Sequence, residues 1–239
     1  MKSPKSRSNL LIALMLVCTF SYHHAFADTI AIIGTGRVAN ALGPSFAELG
    51  HTIIYGSRDP AQEKVKELLA RTGSSARATS AFAAAEAGQI VVVAIPWHVV
   101  ETVFKDLGDL SGKIIIDPTN PFTGREAKKP VHALNYQTSM AEIIQDLQPD
   151  ARVVKAFNTL AAATMADPQI SGGPVSVAMA GDDVDAKNKV AELVNGIGLH
   201  AVDIGGLHYS RVLEGMLVIW MNARMSGKSY DYYLRPIRQ

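Results

Sequence analysis

Gly34-Thr35-Gly36-Arg37-Val38-Ala39 sets two glycines and an alanine in the order G-x-G-x-x-A, directly after the apolar run IAII and directly before an amphipathic stretch. In that order the first glycine suits a tight turn, the second lets a pyrophosphate approach the main chain, and the alanine lets a helix pack closely on a strand. The N–H groups that a helix leaves unpaired at its start supply the positive pole an anion needs. The chemistry expected of Gly34, Thr35, Gly36, Arg37 and Val38 is dinucleotide binding through main-chain donors. A Gly-rich turn in an α/β protein with another ligand is the plainer alternative, and the strand and helix on either side weigh against it.

Gly56 lies 20 residues beyond Gly36, where an NAD-selecting fold places the carboxylate that binds the ribose 2′-OH. No acid stands there, and Ser57-Arg58 follow. A carboxylate would repel a 2′-phosphate. A serine hydroxyl and a guanidinium fork would bind one, with charge-assisted hydrogen bonds. The cofactor expected is NADP(H), and a Gly56→Asp exchange is expected to turn the preference towards NADH. The competing reading pairs Arg58 with Asp59 on a solvated turn, although Asp59 precedes Pro60 and better suits the opening of the next helix.

Three further loops carry polar or aromatic groups after apolar runs. Ile95-Pro96-Trp97-His98 follows IVVVA, and in a doubly wound topology this loop faces the glycine loop across the switch-point crevice. Pro96 and Trp97 are candidates for the wall beside the nicotinamide, and His98 is a candidate on the substrate side unless it is a surface group. Asn120 in DPTNPF and Asn158 in KAFNTL reach the same crevice, as partners for ribose or carboxamide or as residues satisfying their own turns. No acid–base dyad stands out, and no catalytic residue is assigned.

The elements that must position these residues alternate β-branched runs with helical stretches, the pattern of βαβ units around a parallel sheet. Strands are expected over 29–33, 52–55, 90–94, 113–116, 152–156, 175–180 and 200–203, with a weaker one at 76–79. Helices are expected over 38–49, 61–70, 80–85, 99–107, 140–148, 184–197 and 208–225. The fold class is α/β, a Rossmann-type doubly wound, mostly parallel sheet with a small C-terminal α/β extension from about 175 to 239. Within the last helix, Arg211 and Glu214 read as a structural pair one turn apart. Leu213, Met216, Leu217, Trp220 and Met221 form an apolar stripe broad enough to bury against a second copy, so a homodimer is expected.

The first 27 residues have a basic start, an apolar run from Leu10 to Phe20 and Ala25-Phe26-Ala27, the marks of a Sec-type signal peptide cut after Ala27. The run is too short to span a bilayer, and no later stretch supplies a transmembrane segment. Used, the leader implies a secreted or periplasmic protein, with residues 28–239 as one NADP-binding domain; unused, a cytoplasmic one. The remainder carries 20 basic against 22 acidic residues, which excludes general nucleic-acid binding. Cys18, the only cysteine, falls inside the leader, so disulfide, thiol and cysteine-based metal chemistry are excluded and no metal is expected.

The stretches GTGRVA, LGHTIIYGSRDP, AIPW, DPTNPF, VVKAFNTL and LHYSRVLEGM, in this order from about residue 29 to 226, resemble the NADPH-dependent reductases of the deazaflavin coenzyme F420 and the related reductase domain of six-transmembrane metalloreductases. The resemblance implies NADP(H) held at the positions matching Gly34 to Val38, Ser57 and Arg58. It also implies hydride transfer to a small-molecule acceptor, F420 or a flavin, against a wall matching Pro96 and Trp97. His98 departs from the acidic residue expected there in the deazaflavin reductases, which leaves the acceptor open. Two other functions fit the same fold start. One is an NADP-binding sensor or redox-partner protein without turnover. The other is an imine or hydroxyacid reductase, whose long helical second domain has little room in the residues after Asp203.

Overall fold

The computed structural model describes residues 27–228, so the expected leader up to residue 26 lies outside the described residues. The strands are β1 (Thr29–Ile33), β2 (Thr52–Gly56), β3 (Ala76–Thr79), β4 (Ile90–Val93), β5 (Ile114–Asp117), β6 (Phe122–Thr123), β7 (Val131–His132), β8 (Arg152–Lys155), β9 (Ser176–Gly181) and β10 (His200–Asp203). The helices are α1 (Arg37–Glu48), α2 (Glu63–Thr72), α3 (Ala81–Ala87), α4 (Val100–Phe104), α5 (Met140–Leu147), α6 (Ala162–Ala166), α7 (Val184–Gly196) and α8 (Ser210–Met225).

Eight strands form one sheet in the order β10-β9-β8-β5-β4-β1-β2-β3, and β6 pairs with β7 in a separate short hairpin. Every neighbour in the large sheet is parallel except β8 and β9. After β3 the chain returns to lay β4 beside β1, with Ile30 opposite Ile90, so the order reverses at β1. Runs such as IVVV in β4 are buried throughout, as central parallel strands covered on both faces must be. On one face Leu42 and Phe46 of α1, Leu68 of α2, Met165 of α6 and Val190 of α7 pack into a single cluster. On the other, Ala84 of α3, Phe104 of α4 and Met140 and Ile144 of α5 do the same.

Several boundaries differ from the sequence reading. The helix expected from 61 begins at Glu63, because Asp59 accepts from the Ala61 N–H and closes a turn instead of capping a helix. The helix expected over 99–107 contracts to α4 behind a 3-10 turn at Trp97–Val99. The β6–β7 hairpin and α6 are additions, two-residue strands and a five-residue helix being too short to show a period. No helix of the described residues is long and apolar enough to cross a membrane.

Candidate functional site

The glycine loop joins β1 to α1 at the point where the strand order reverses. Gly34 has φ +112° and its N–H donates to the Gly56 carbonyl at 2.8 Å. A Cβ there would stand 2.3 Å from the Ala94 carbonyl oxygen, so both the turn and the close approach of β4 require glycine. Gly36 is the N-cap of α1, and a Cβ added to it would meet nothing nearer than that same oxygen at 4.0 Å. Among the described residues, the surroundings of that Cβ position are otherwise clear to 4 Å. A dinucleotide fits there, with its pyrophosphate against the helix start.

Asn40, one turn into α1, donates through Nδ2 to the carbonyls of Thr35 (3.0 Å) and Gly36 (2.8 Å). Its Oδ1 accepts from Arg71 at the end of α2. A cleft of about 580 Å³ opens between α1, α2 and α6, with Thr35, Gly36, Arg37, Asn40, Lys64 and Arg71 on its walls. A second cleft of the same volume lies against α8, is apolar, and does not include the glycine loop. Volume does not separate the two. The helix start at Gly36, and Arg37, Lys64 and Arg71 against the one acid Glu67, are what suit the first to an anionic ligand.

At the end of β2, the Ser57 N–H donates to the Thr79 carbonyl at 2.8 Å and its Oγ donates to the Asp59 carbonyl at 3.0 Å. Arg58 is exposed and, among the described residues, makes no ion pair or hydrogen bond. The reading that pairs Arg58 with Asp59 therefore fails, and the guanidinium is available to a ligand. Gly56 itself is buried, and a Cβ on it would stand 3.0 Å from Ala81 Cα and 3.1 Å from Ile33 Cδ1. An aspartate at 56 would point into the core beneath α3. The exchange that brings a carboxylate to this rim is Ser57→Asp, which corrects the expectation placed on Gly56.

Across the crevice, Ile95 and Trp97 are half-buried against the core cluster of the α3–α5 face, while Pro96 and His98 are exposed. The Trp97 and His98 rings meet edge to face at 5.8 Å. Asn120 and Asn158 come together: Asn158 Nδ2 donates to Asn120 Oδ1 at 2.9 Å, and Asn120 Nδ2 donates to the Asn158 carbonyl at 2.8 Å. Asn158 is also held by the Leu213 carbonyl (2.9 Å), and among the described residues its buried Oδ1 has no hydrogen-bond partner. The two asparagines thus brace the loops after β5 and β8. Phe157, at φ +65° with its buried ring edge-on to Phe46 of α1, fixes the turn that presents Asn158.

Beneath these loops lies a polar cluster the sequence reading did not assemble. Lys155, fully buried, donates through Nζ to Asp117 Oδ2 (2.8 Å), the Thr119 carbonyl (2.7 Å) and Glu214 Oε1 (2.6 Å). Burial works against its charge, but Asp117 and Glu214 outweigh it and raise its pKa above the ordinary lysine value. His132 Nε2 lies 3.0 Å from Glu214 Oε2, while its Nδ1 accepts from the Leu134 N–H at 3.2 Å. With Nδ1 taken up as an acceptor, Nε2 is the nitrogen that donates to Glu214. Glu214 is not the helical partner of Arg211. Arg211 forks instead onto Glu142 of α5, at 2.8 and 2.6 Å. Burial pushes the Glu142 carboxyl up, yet Arg211 and the Ser139 hydroxyl hold it below the usual range.

The F420-dependent NADP reductase of Methanocaldococcus jannaschii is 31% identical over 214 residues, which cover 83% of this chain and 94% of that one. The chain belongs to the family of coenzyme F420-dependent NADP oxidoreductases. Residues 29–121 match the family described as "NADP oxidoreductase coenzyme F420-dependent". That span holds the glycine loop, Ser57-Arg58, the Ile95–His98 turn and Asn120, whereas Asn158, Lys155 and Glu214 fall beyond it. A crystal structure from Arthrobacter sp. FB24, provisionally named an F420-dependent NADP reductase, superposes with a TM-score of 0.80 at 29% identity, covering 89% of this chain and 100% of that one. The metalloreductase STEAP3 of Rattus norvegicus is 30% identical over 191 residues, and the chain spans only 36% of its length. The oxidoreductase family thus shares the α/β sheet and the NADP-linked chemistry. Among the described residues no group of three or more His, Cys, Asp or Glu is placed to hold a metal ion.

Proposed function

We propose that this family member binds NADP(H) over the glycine loop and passes hydride between the nicotinamide and a flavin-like or deazaflavin acceptor. The observation that carries the reading is Arg58, a guanidinium with no partner among the described residues, beside the Ser57 hydroxyl at the strand end that faces the ribose in this fold. Gly34 to Val38 receive the pyrophosphate, Ser57 and Arg58 the 2′-phosphate, and Asn158, braced against Asn120, borders the nicotinamide side. Ile95, Pro96 and Asn120 complete that wall, and Trp97 and His98 border the acceptor. NADPH, when bound, supplies the hydride; the chain holds its ring and the acceptor together and excludes water from between them.

Anaerobic oxidation of NADPH, with F420, FMN and a ferric chelate offered separately, tests the reading. Turnover with F420 or FMN is expected. Tight NADPH binding with no turnover on any of the three would make the protein a nucleotide-binding sensor.

We further propose that the leader is cut after Ala27 and the protein exported. Support comes from the leader's charge and small-residue pattern, and from Asp28, whose carboxylate bonds Lys189 of α7 at 2.9 Å and so anchors the chain just past that point. N-terminal sequencing of the native protein is expected to begin at Asp28. A retained Met1 would refute the cleavage.

A further inference from the structure

Arg71 ends α2 one turn after Glu67, the spacing of an ordinary Glu–Arg surface pair on a helix. It makes no ion pair with Glu67 among the described residues and reaches across to Asn40 of α1. That contact takes up Asn40 Oδ1 and fixes which way round the amide lies. Nδ2 is then turned to the loop, where it holds the Thr35 carbonyl and adds a second donor to the Gly36 carbonyl, which already accepts from the Asn40 main-chain N–H at 2.9 Å. In a trans peptide the C=O and the following N–H point in opposite directions. Drawing those two carbonyls back towards the helix therefore aims the N–H groups of Gly36 and Arg37 away from it, over the open space at Gly36.

We propose that Asn40 and Arg71 are positioning residues for pyrophosphate binding: Arg71 orients Asn40, and the Asn40 amide fixes the Thr35–Gly36 peptide plane and reinforces the Gly36–Arg37 plane, whose N–H groups meet the phosphates. Neither residue needs to touch the nucleotide. The inference rests on the reading of the glycine loop as the NADP(H) site, and it separates pyrophosphate recognition by Asn40 from 2′-phosphate recognition by Arg58.

The test is a crossed titration of NADPH, NADH and 2′-AMP by calorimetry. 2′-AMP carries the ribose phosphate but no pyrophosphate. Asn40→Leu is expected to weaken NADPH and NADH alike, by about tenfold, the worth of one or two neutral hydrogen bonds, and to leave 2′-AMP unchanged. Arg71→Ala, on an exposed side chain, is expected to follow the same pattern more weakly, and Arg71→Lys to restore it by returning a donor to Asn40 Oδ1. Arg58→Ala should do the reverse, losing NADPH and 2′-AMP but not NADH. A merely structural role for Asn40 would lower the melting temperature and leave the affinities of the folded protein alone, which would overturn the proposal. If Asn40→Leu does not fold, Arg71→Ala decides the question by the same pattern. Should wild type bind neither nucleotide, the NADP(H) reading falls and this one with it; should wild type bind while both variants match it, only this one falls.

Discussion

At the scale of single residues, the 2′-phosphate claim depends on Arg58. Removing a charge-assisted pair is worth roughly 1.5–3 kcal/mol, so Arg58→Ala is expected to cost about ten- to 150-fold in NADPH affinity by the relation of free energy to Kd. NADH has no phosphate to lose and should be unaffected. Ser57→Asp is expected to move preference towards NADH, since it adds a repelling carboxylate at the half-buried rim of β2. Fluorescence titration of both nucleotides checks the pair, and equal losses in Arg58→Ala would assign Arg58 to the fold. Ser57 and Arg58 were legible as types and spacing. The fate of Gly56 was not, because its burial under Ala81 depends on how α3 crosses the sheet, which no local pattern encodes.

Among elements, the Lys155 cluster ties β5, β8, the β6–β7 hairpin and the buried side of α8 into one unit. Lys155→Met would leave the Asp117 and Glu214 carboxylates facing each other without their counter-charge. Breaking a buried pair on one side costs about 3–5 kcal/mol, which for a domain of this size is a melting temperature lower by on the order of 10 °C. Glu63→Gln, which removes the exposed pair to Lys66, should shift it by less than about 4 °C, since such pairs contribute about 0–1 kcal/mol. Calorimetric melts of the two variants check the contrast, and similar shifts would mean that the cluster holds no special place in the core. The alternation of strands and helices was readable because apolar runs of period two and 3.6 survive in the sequence. The cluster was not. Lys155 ends an apolar strand and Glu214 sits in an apolar helix, and each looks like a solvated charge until topology brings residues 59 positions apart to 2.6 Å.

For the molecule as a whole, α8 carries apolar residues on more than its inward side. Leu213 and Met221 are buried, yet Val212 and Ile219, seven residues apart on the same outer face, are 60% and 66% exposed. With Tyr136 and Tyr209 they border the apolar cleft of about 580 Å³. The stripe expected to meet a second copy is thus buried in its own fold at Leu213 and Met221, and the proposed homodimer would use Val212 and Ile219 instead, so Ile219→Glu is expected to give a monomer without loss of fold, as read by light scattering after size exclusion. A wild-type monomer at micromolar concentration would contradict the homodimer. The central claim is that the crevice brings a nicotinamide and an acceptor ring close enough for direct hydride passage. Deuterium placed at the transferring C4 position of NADPH tests it most directly: incubated anaerobically with protein and F420, the label should appear on the ring carbon of the reduced deazaflavin at the rate NADPH is consumed, and with FMN, whose reduced N5–H exchanges with water, the same label should slow flavin reduction by a primary isotope effect. NADPH that binds with Arg58-dependent affinity but neither labels F420 nor shows an isotope effect with FMN, even under single-turnover conditions, would contradict it.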